Sequence, residues 1–230
     1  MKEYKIRTYE EAIAVIEEIG ILPLAPLLPD YPSLNSITPA DSWHSDTEFD
    51  PWAWRTRFSV EGVAAYGKFL KKKSVLISRD WFPHVRAILG FNDSIKQRYD
   101  SGLVSREALH LYGIIEEEPG IDTRVLRVKA GMKEKEKKKA FDAALIELQG
   151  TLDIAVSGIK EKQDEQGEKN GWSSTSFETV SYWLEKNNLE QTLLDVGVAK
   201  QELRDHFVRI GCSDEALKRI EKIFLMEKVF

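Results

Sequence analysis

One cysteine, Cys212, stands in 230 residues, so no internal disulfide can staple the chain. That scarcity fits a reducing compartment. Histidine is nearly as sparse. His44, His84, His110 and His206 lie far apart and, with a lone cysteine, make no zinc-type ligand set; we expect no metal and no cofactor. No run approaches the ~20 apolar residues that span a bilayer, which excludes a helical membrane anchor. Met1 to Lys5 lead into charged sequence without an apolar leader core, so the expected location is cytoplasmic. Positive charge is not in excess either: 33 Lys and Arg face 38 Asp and Glu, a net charge of -5. This excludes the broad basic field of a dedicated high-affinity DNA binder, and any nucleic-acid contact must come from local patches. Patterns of the G-x-S-x-G, P-loop and G-x-G-x-x-G kinds are missing, and no catalytic residue is assigned. Cys212, between two C-terminal helices, reads as structural. His84, His110 and His206 sit on predicted helices as surface or satisfied side chains.

What is present is an ordinary hydrophobic share, 42%, enough for a core. Thr8-Tyr9-Glu10-Glu11 is a capping box that opens a helix with Ile13, Ile16 and Ile19 on one face and Gly20 at its end. Pro23, Pro26 and Pro29 predict an extended, partly buried connector. Thr38-Pro39 predicts a cap and a first-turn proline opening a short helical turn. An aromatic segment follows: Trp43, Phe49, Trp52, Trp54 and Phe58. Apolar alternation from Gly67 to Ser78 predicts a hairpin with a lysine-bearing tip. Ser78 then caps a helix with Trp81, Val85, Ile88 and Leu89 inward. Asp100-Ser101-Gly102 marks a soft boundary.

The pattern changes from Ser105. That serine caps a helix with Ala108, Leu111, Tyr112 and Ile115 inward. Asp122 or Thr123 caps a short second helix carrying Val125, Leu126 and Ala130. A third runs from about Lys133 to Gln149 with Phe141, Ala144, Leu145 and Leu148 on one stripe. Leu152 to Ser157 and Ser174 to Tyr182 read as two strands around a polar loop. Three short helices burying a shared seam under a two-stranded flap is the winged-helix order, since a hairpin alone would be marginal. From about Glu185 the chain is helical, with Leu203, Phe207 and Ile210 on one stripe and Leu217, Ile220 and Phe224 on another, the last helix capped by Ser213. The expected fold is therefore α+β and mainly helical. It divides into an aromatic-rich α/β part over residues 1–100, a winged helix-turn-helix unit over 101–183 and a helical closure over 184–230.

Three groups carry candidate chemistry. Residues 129–139 hold six lysines against Glu134 and Glu136. Lys133, Lys135, Lys137, Lys138 and Lys139 stand at the entrance of the third helix, where backbone N–H groups and ammonium groups suit phosphates. A solvated helix face is the bland alternative, and with no Arg or Asn between residues 133 and 141 little there can read a base edge. The loop over residues 158–171, with three lysines against four acids, does not look like a wing that hugs a backbone. Lys71, Lys72 and Lys73, with Lys68, form the second group, which either touches a backbone or solubilises a turn. The third is Trp43, His44, Trp52, Trp54 and Arg55, which frame a base or small-ligand pocket or else an aromatic core in which Arg55 pairs with a carboxylate.

The runs Gly20-Ile-Leu-Pro-Leu-Ala-Pro-Leu-Leu-Pro29, Asp50-Pro-Trp-Ala-Trp-Arg55, Ala65-Tyr-Gly-Lys-Phe69, Ile77-Ser-Arg-Asp-Trp-Phe-Pro83 and Ala144-Leu-Ile-Glu-Leu-Gln149 resemble the small AlkZ-related proteins, relatives of the AlkZ-like DNA glycosylases built from tandem winged helices. The resemblance implies a winged-helix, DNA-repair-like architecture. Family glycosylases carry a glutamine-hydrophobic-glutamine (or aspartate) motif after the first helix. The comparable stretch here, Leu22 to Leu28, has neither glutamine nor carboxylate, and Gln149 and Gln163 stand in no such motif, so no catalytic role carries over. Three readings follow: an AlkZ-related protein binding DNA weakly through its backbone; a divergent glycosylase using Asp46, Glu48 or Asp50 near the tryptophans; or a module that binds a protein partner. The oligomeric state is not encoded in these patterns.

Overall fold

Thr8 opens the first helix through the capping box its sequence spells: its hydroxyl accepts from Glu11 N–H, and the Glu11 carboxylate accepts from Thr8 N–H. The computed structural model describes residues 1–161, 173–190 and 194–224. Helix α1 (Tyr9–Ile19) stops at Gly20, whose φ of +78° suits glycine and whose Cβ position lies 2.6 Å from the Trp81 ring. Strand β1 (Ile21–Pro23) follows, so the proline-rich connector begins as a sheet edge. Then come α2 (Leu34–Ile37), a 3-10 turn Ala40–Ser42, α3 (Pro51–Val60), β2 (Ala64–Leu70) and β3 (Lys73–Ser78). Thr38 does not cap the 3-10 turn as expected; it closes α2, its hydroxyl donating back to the carbonyl of Leu34 in the first position of that helix. Helix α3 lacks the apolar period that would announce it. It starts with Asp50, whose carboxylate accepts from Trp52 N–H, and with Pro51 in the first turn.

Strand β3 is the centre of an antiparallel sheet in the order β1-β3-β2, with Ile77 paired to Ile21 on one side and Ala65 on the other. Two linking helices follow, α4 (Phe82–Leu89) and α5 (Ile95–Asp100). Within α4, Phe82, Val85 and Ile88 are buried, while Trp81 and Leu89 are only partly so.

The order of the first half then recurs. Helix α6 (Arg106–Glu117), capped by Ser105, leads to β4 (Ile121–Asp122), α7 (Thr123–Lys129), α8 (Lys138–Gly150), β5 (Ile154–Lys160) and β6 (Ser174–Thr179). Their sheet is again antiparallel, in the order β4-β6-β5. Each half is thus helix, short strand, two helices and a strand pair, with the short strand against the last one. Three expectations need correction. Helix α8 begins at Lys138, not near Lys133, because Lys135–Lys137 form a separate 3-10 turn. Thr179 caps a new helix, α9 (Val180–Lys186), so the return strand stops before Tyr182. Val125 is 40% exposed beside buried Leu126, because α7 lies at the surface with only one face covered. Most of the polar loop over residues 158–171 lies outside the described residues.

The halves lock together through buried polar contacts. The Ser59 hydroxyl on α3 donates to the Val156 carbonyl on β5 at 2.6 Å, and the Trp183 indole donates to the Ser59 carbonyl at 2.9 Å. Arg98, 2% exposed, meets Asp153 at 2.5 Å. The last helices, α10 (Val196–Arg209) and α11 (Asp214–Phe224), fold back on the first half: α10 lies against α4, with His206 bonded to the Ile19 carbonyl and Phe207 edge-on to Tyr31. One continuous apolar core runs from Tyr4 to Phe224. The result is an α+β protein in which helix dominates two small antiparallel sheets.

Candidate functional site

The β2–β3 hairpin turns on Lys71 and Lys72, with φ of 48° and 64°. Two central residues of positive φ make a tight turn that ordinarily selects Asn-Gly, because a side chain crowds the backbone there. Lysine at both places puts strain at the hairpin tip, and Lys71, Lys72 and Lys73 are all exposed.

Facing this tip is the start of α8. Lys137 precedes it without a side-chain cap, and no acid occupies the first turn. Ammonium groups of Lys138 and Lys139 therefore stand at the positive end of a helix, an arrangement that repels itself unless an anion is near. Lys72 from the first half and Lys135, Lys138 and Lys139 from the second line one open groove of about 700 Å³, together with Asp142 and Ile146. Two of the expected lysines turn elsewhere. Lys137 donates to the Gly131 carbonyl at 2.9 Å and pairs with Glu134. Lys133 is exposed on the stretch that leads into the 3-10 turn, where its carbonyl accepts from Arg127.

Asp142 and Ile146 also border a second cleft, of about 410 Å³, between the halves. Its walls are β2 and β3 on one side and α7, α8, β5 and β6 on the other, with Tyr66, Lys68, Gln149 and Thr175 among the lining residues. Gln149 is buried and spans the join: its Oε1 accepts from Lys68 N–H at 2.9 Å and its amide donates to the Leu145 carbonyl.

Arg55 lines this cleft. It is 6% exposed, and its guanidinium sits 3.4 Å from the centre of the Trp52 ring. The expected carboxylate partner is absent: among the described residues Arg55 forms no ion pair, and its buried Nε has no hydrogen-bond partner. Asp50 is committed as a cap, accepting from Trp52 N–H at 2.8 Å and His44 N–H at 3.0 Å. Burial pushes the Arg55 guanidinium below its ordinary pKa, with Tyr66 and Asp50 acting against that. Burial likewise pushes the Tyr66 phenol up, with Arg55 and Ser74 opposing.

The other aromatic candidates separate into two kinds. Trp54 is 2% exposed and donates to the Glu48 carbonyl, and Trp43 donates to the Thr38 hydroxyl. Both fill the core around Tyr9 and α2 and are not part of the cleft. Trp52 is 41% exposed, with the His44 ring tilted against it at 4.8 Å between centres. Of the proposed acids, Asp46 sits on an exposed turn at φ 54°, and Glu48 contributes only its carbonyl to the core. Among the described residues no three His, Cys, Asp or Glu side chains converge as a metal site.

The family model described as AlkZ related matches residues 6–225, nearly the whole chain. The chain belongs to the AlkZ-related family. No curated protein and no solved structure matches it. In this AlkZ-related chain the sequence did not point to Tyr66, Thr123, Asp142 or Gln149 as cleft residues. Gln149 had a signal: it falls on the same buried stripe as Leu145 and Leu148, where an amide must find partners. Asp142 had none, being one acid on an exposed helix face. No helix among the described residues is long and apolar enough to cross a membrane.

Proposed function

We propose that this AlkZ-related protein is a tandem winged-helix protein that binds nucleic acid through its phosphate backbone. The first unit lies within residues 1–100 and the second within 101–183, with residues 184–230 as a helical closure. The recurring element order and the two sheets with the same strand order support this reading. The observation that carries the binding is the shared groove: Lys72 on the hairpin tip of one unit and Lys135, Lys138 and Lys139 at the helix entrance of the other face the same space. Lysines near a helix start that has no side-chain cap suit phosphate oxygens and carry no base code, so the binding is sequence-tolerant. The overall charge of -5 adds no long-range attraction, so affinity is modest. The resemblance to AlkZ-like glycosylases supports a role on damaged DNA, with this chain contributing recognition.

Titrating labelled duplex DNA against a salt series tests it. Four phosphate contacts give a slope near -4 in log affinity against log salt, about a hundredfold loss between 50 and 200 mM. Absence of binding at micromolar protein in low salt, or affinity indifferent to salt, rejects the reading.

A further inference from the structure

The geometry points to Arg55 as the receptor for a phosphate monoester in the cleft between the two halves. Among the described residues two arginines are buried, each with an Nε that has no hydrogen-bond partner, and they differ in how their charge is met. Arg98, 2% exposed, has Asp153 at 2.5 Å to balance it. Arg55, 6% exposed, has no carboxylate within ion-pair distance among the described residues and no hydrogen bond to Nε. A cation withdrawn from water without a partner is costly, and a fold retains one where something else meets the charge. Trp52 covers one face of the guanidinium at 3.4 Å. A ring on the face holds the plane and leaves the N–H edge for a planar or tetrahedral oxyanion, the fork geometry arginine offers to phosphate.

The surroundings suit that anion. The cleft of about 410 Å³ is large enough for a nucleotide-sized group. Besides Arg55, the lining residues Lys68, Tyr66 and Ser74 carry polar groups, while the Thr123 hydroxyl is engaged in donating to the Thr175 carbonyl at 2.8 Å. Two cationic side chains match a dianion better than the single charge of a carboxylate or an internal phosphodiester. Among the described residues the acid in the lining is Asp142, exposed and shared with the lysine groove. Its charge opposes the ligand, and its position joins the phosphate site to the groove. The phosphate comes either from the end of a strand lying in that groove or from a free nucleotide. Only the strand-end source rests on the backbone-binding reading above.

The test uses the full chain, tryptophan fluorescence and calorimetry, with two matched probe pairs: an eight-residue oligothymidylate with a 5′-phosphate or a 5′-hydroxyl, and thymidine 5′-monophosphate or thymidine. The expected result is that the phosphorylated member of a pair binds about tenfold tighter or more, the scale of charge-assisted hydrogen bonds. A preference in the oligonucleotide pair alone assigns the site to strand ends; a preference in the nucleoside pair assigns it to free nucleotides as well. R55Q is expected to abolish the preference, R55K to keep part of it, and D142N to enlarge it. If both oligonucleotides bind equally, and thymidine monophosphate binds no better than thymidine, this inference fails while backbone binding stands. If neither oligonucleotide binds but the monophosphate preference depends on Arg55, this inference stands for free nucleotides, and the duplex titration decides the backbone reading separately. A preference that survives R55Q, or that shrinks in D142N, overturns the assignment to Arg55.

Discussion

Replacing Arg55 with methionine is expected to make the protein more stable. Large buried side chains usually cost stability when exchanged, so the sign is informative. An uncompensated charge inside a protein costs about 3–5 kcal/mol, judged from buried pairs that lose one partner. Against this stands the Trp52 ring at 3.4 Å, worth about 2 kcal/mol for a desolvated cation. Tyr66, 6.0 Å away, is at the limit of that interaction and adds little. Methionine keeps most of the length, and its sulfur regains about 0.3–1.5 kcal/mol against the indole. The net expectation is a gain of about 1–4 kcal/mol, or a rise in Tm of roughly 2–4 °C for each kcal/mol in a chain of this size. Equilibrium urea unfolding in buffer free of phosphate and nucleotide reads it directly, with the slope checked to be unchanged. A loss of 1 kcal/mol or more would show that Arg55 is satisfied within the fold, and the case for an anion in the cleft would collapse.

Three further outcomes follow from particular contacts. Asp153→Ala removes the balance from Arg98 and is expected to cost about 3–5 kcal/mol in the same assay, opposite in sign to the Arg55 exchange. Replacing Lys71-Lys72 by Asn-Gly relieves two left-handed lysines and is expected to add about 1–2 kcal/mol of stability while weakening DNA binding, so a turn that loses stability would refute the strain argument. His206, packed at a tilt on Trp81 and bonded to the Ile19 carbonyl, is held below its usual pKa of 6.5 mainly by burial, with the Ile19 hydrogen bond opposing and Arg209 and His84 adding to it. The unfolded chain then binds the extra proton first, so stability present above about pH 6.5 declines on acidification, and urea midpoints of His206→Phe are expected to fall less between pH 7.5 and 5.5 than those of the parent.

The parts of this fold that follow local rules were legible in the sequence. Thr8, Ser105 and Ser213 announced helix starts because side-chain caps are written within three residues of the ends they satisfy. The stripe Phe141, Ala144, Leu145 and Leu148 was visible because α8 buries one face only. Helix α3 was hidden, since its buried face mixes Trp54 and Phe58 with Arg55 and Ser59 and breaks the apolar period. Its Asp50-Pro51 start was the signal that remained. Strands β1 and β4 have three and two residues, too few to show alternation, so the repeated order of the two halves stayed concealed. The candidate site was legible only in pieces. Lys72 and Lys138 are 66 positions apart in the chain and are brought to one groove by the packing of β2 against α8, which no local pattern encodes. Arg55 looked like half of an ion pair, because composition shows acids nearby but not that Asp50 is already engaged as a cap.

The groove shared by the two halves is tested most directly by neutralising one lysine from each and measuring duplex affinity across salt. Lys72→Ala and Lys138→Ala are each expected to weaken binding and to reduce the magnitude of the salt slope by about one, and the double variant by about two. Unchanged affinity and slope in both single variants, with the fold intact by unfolding, would contradict the account.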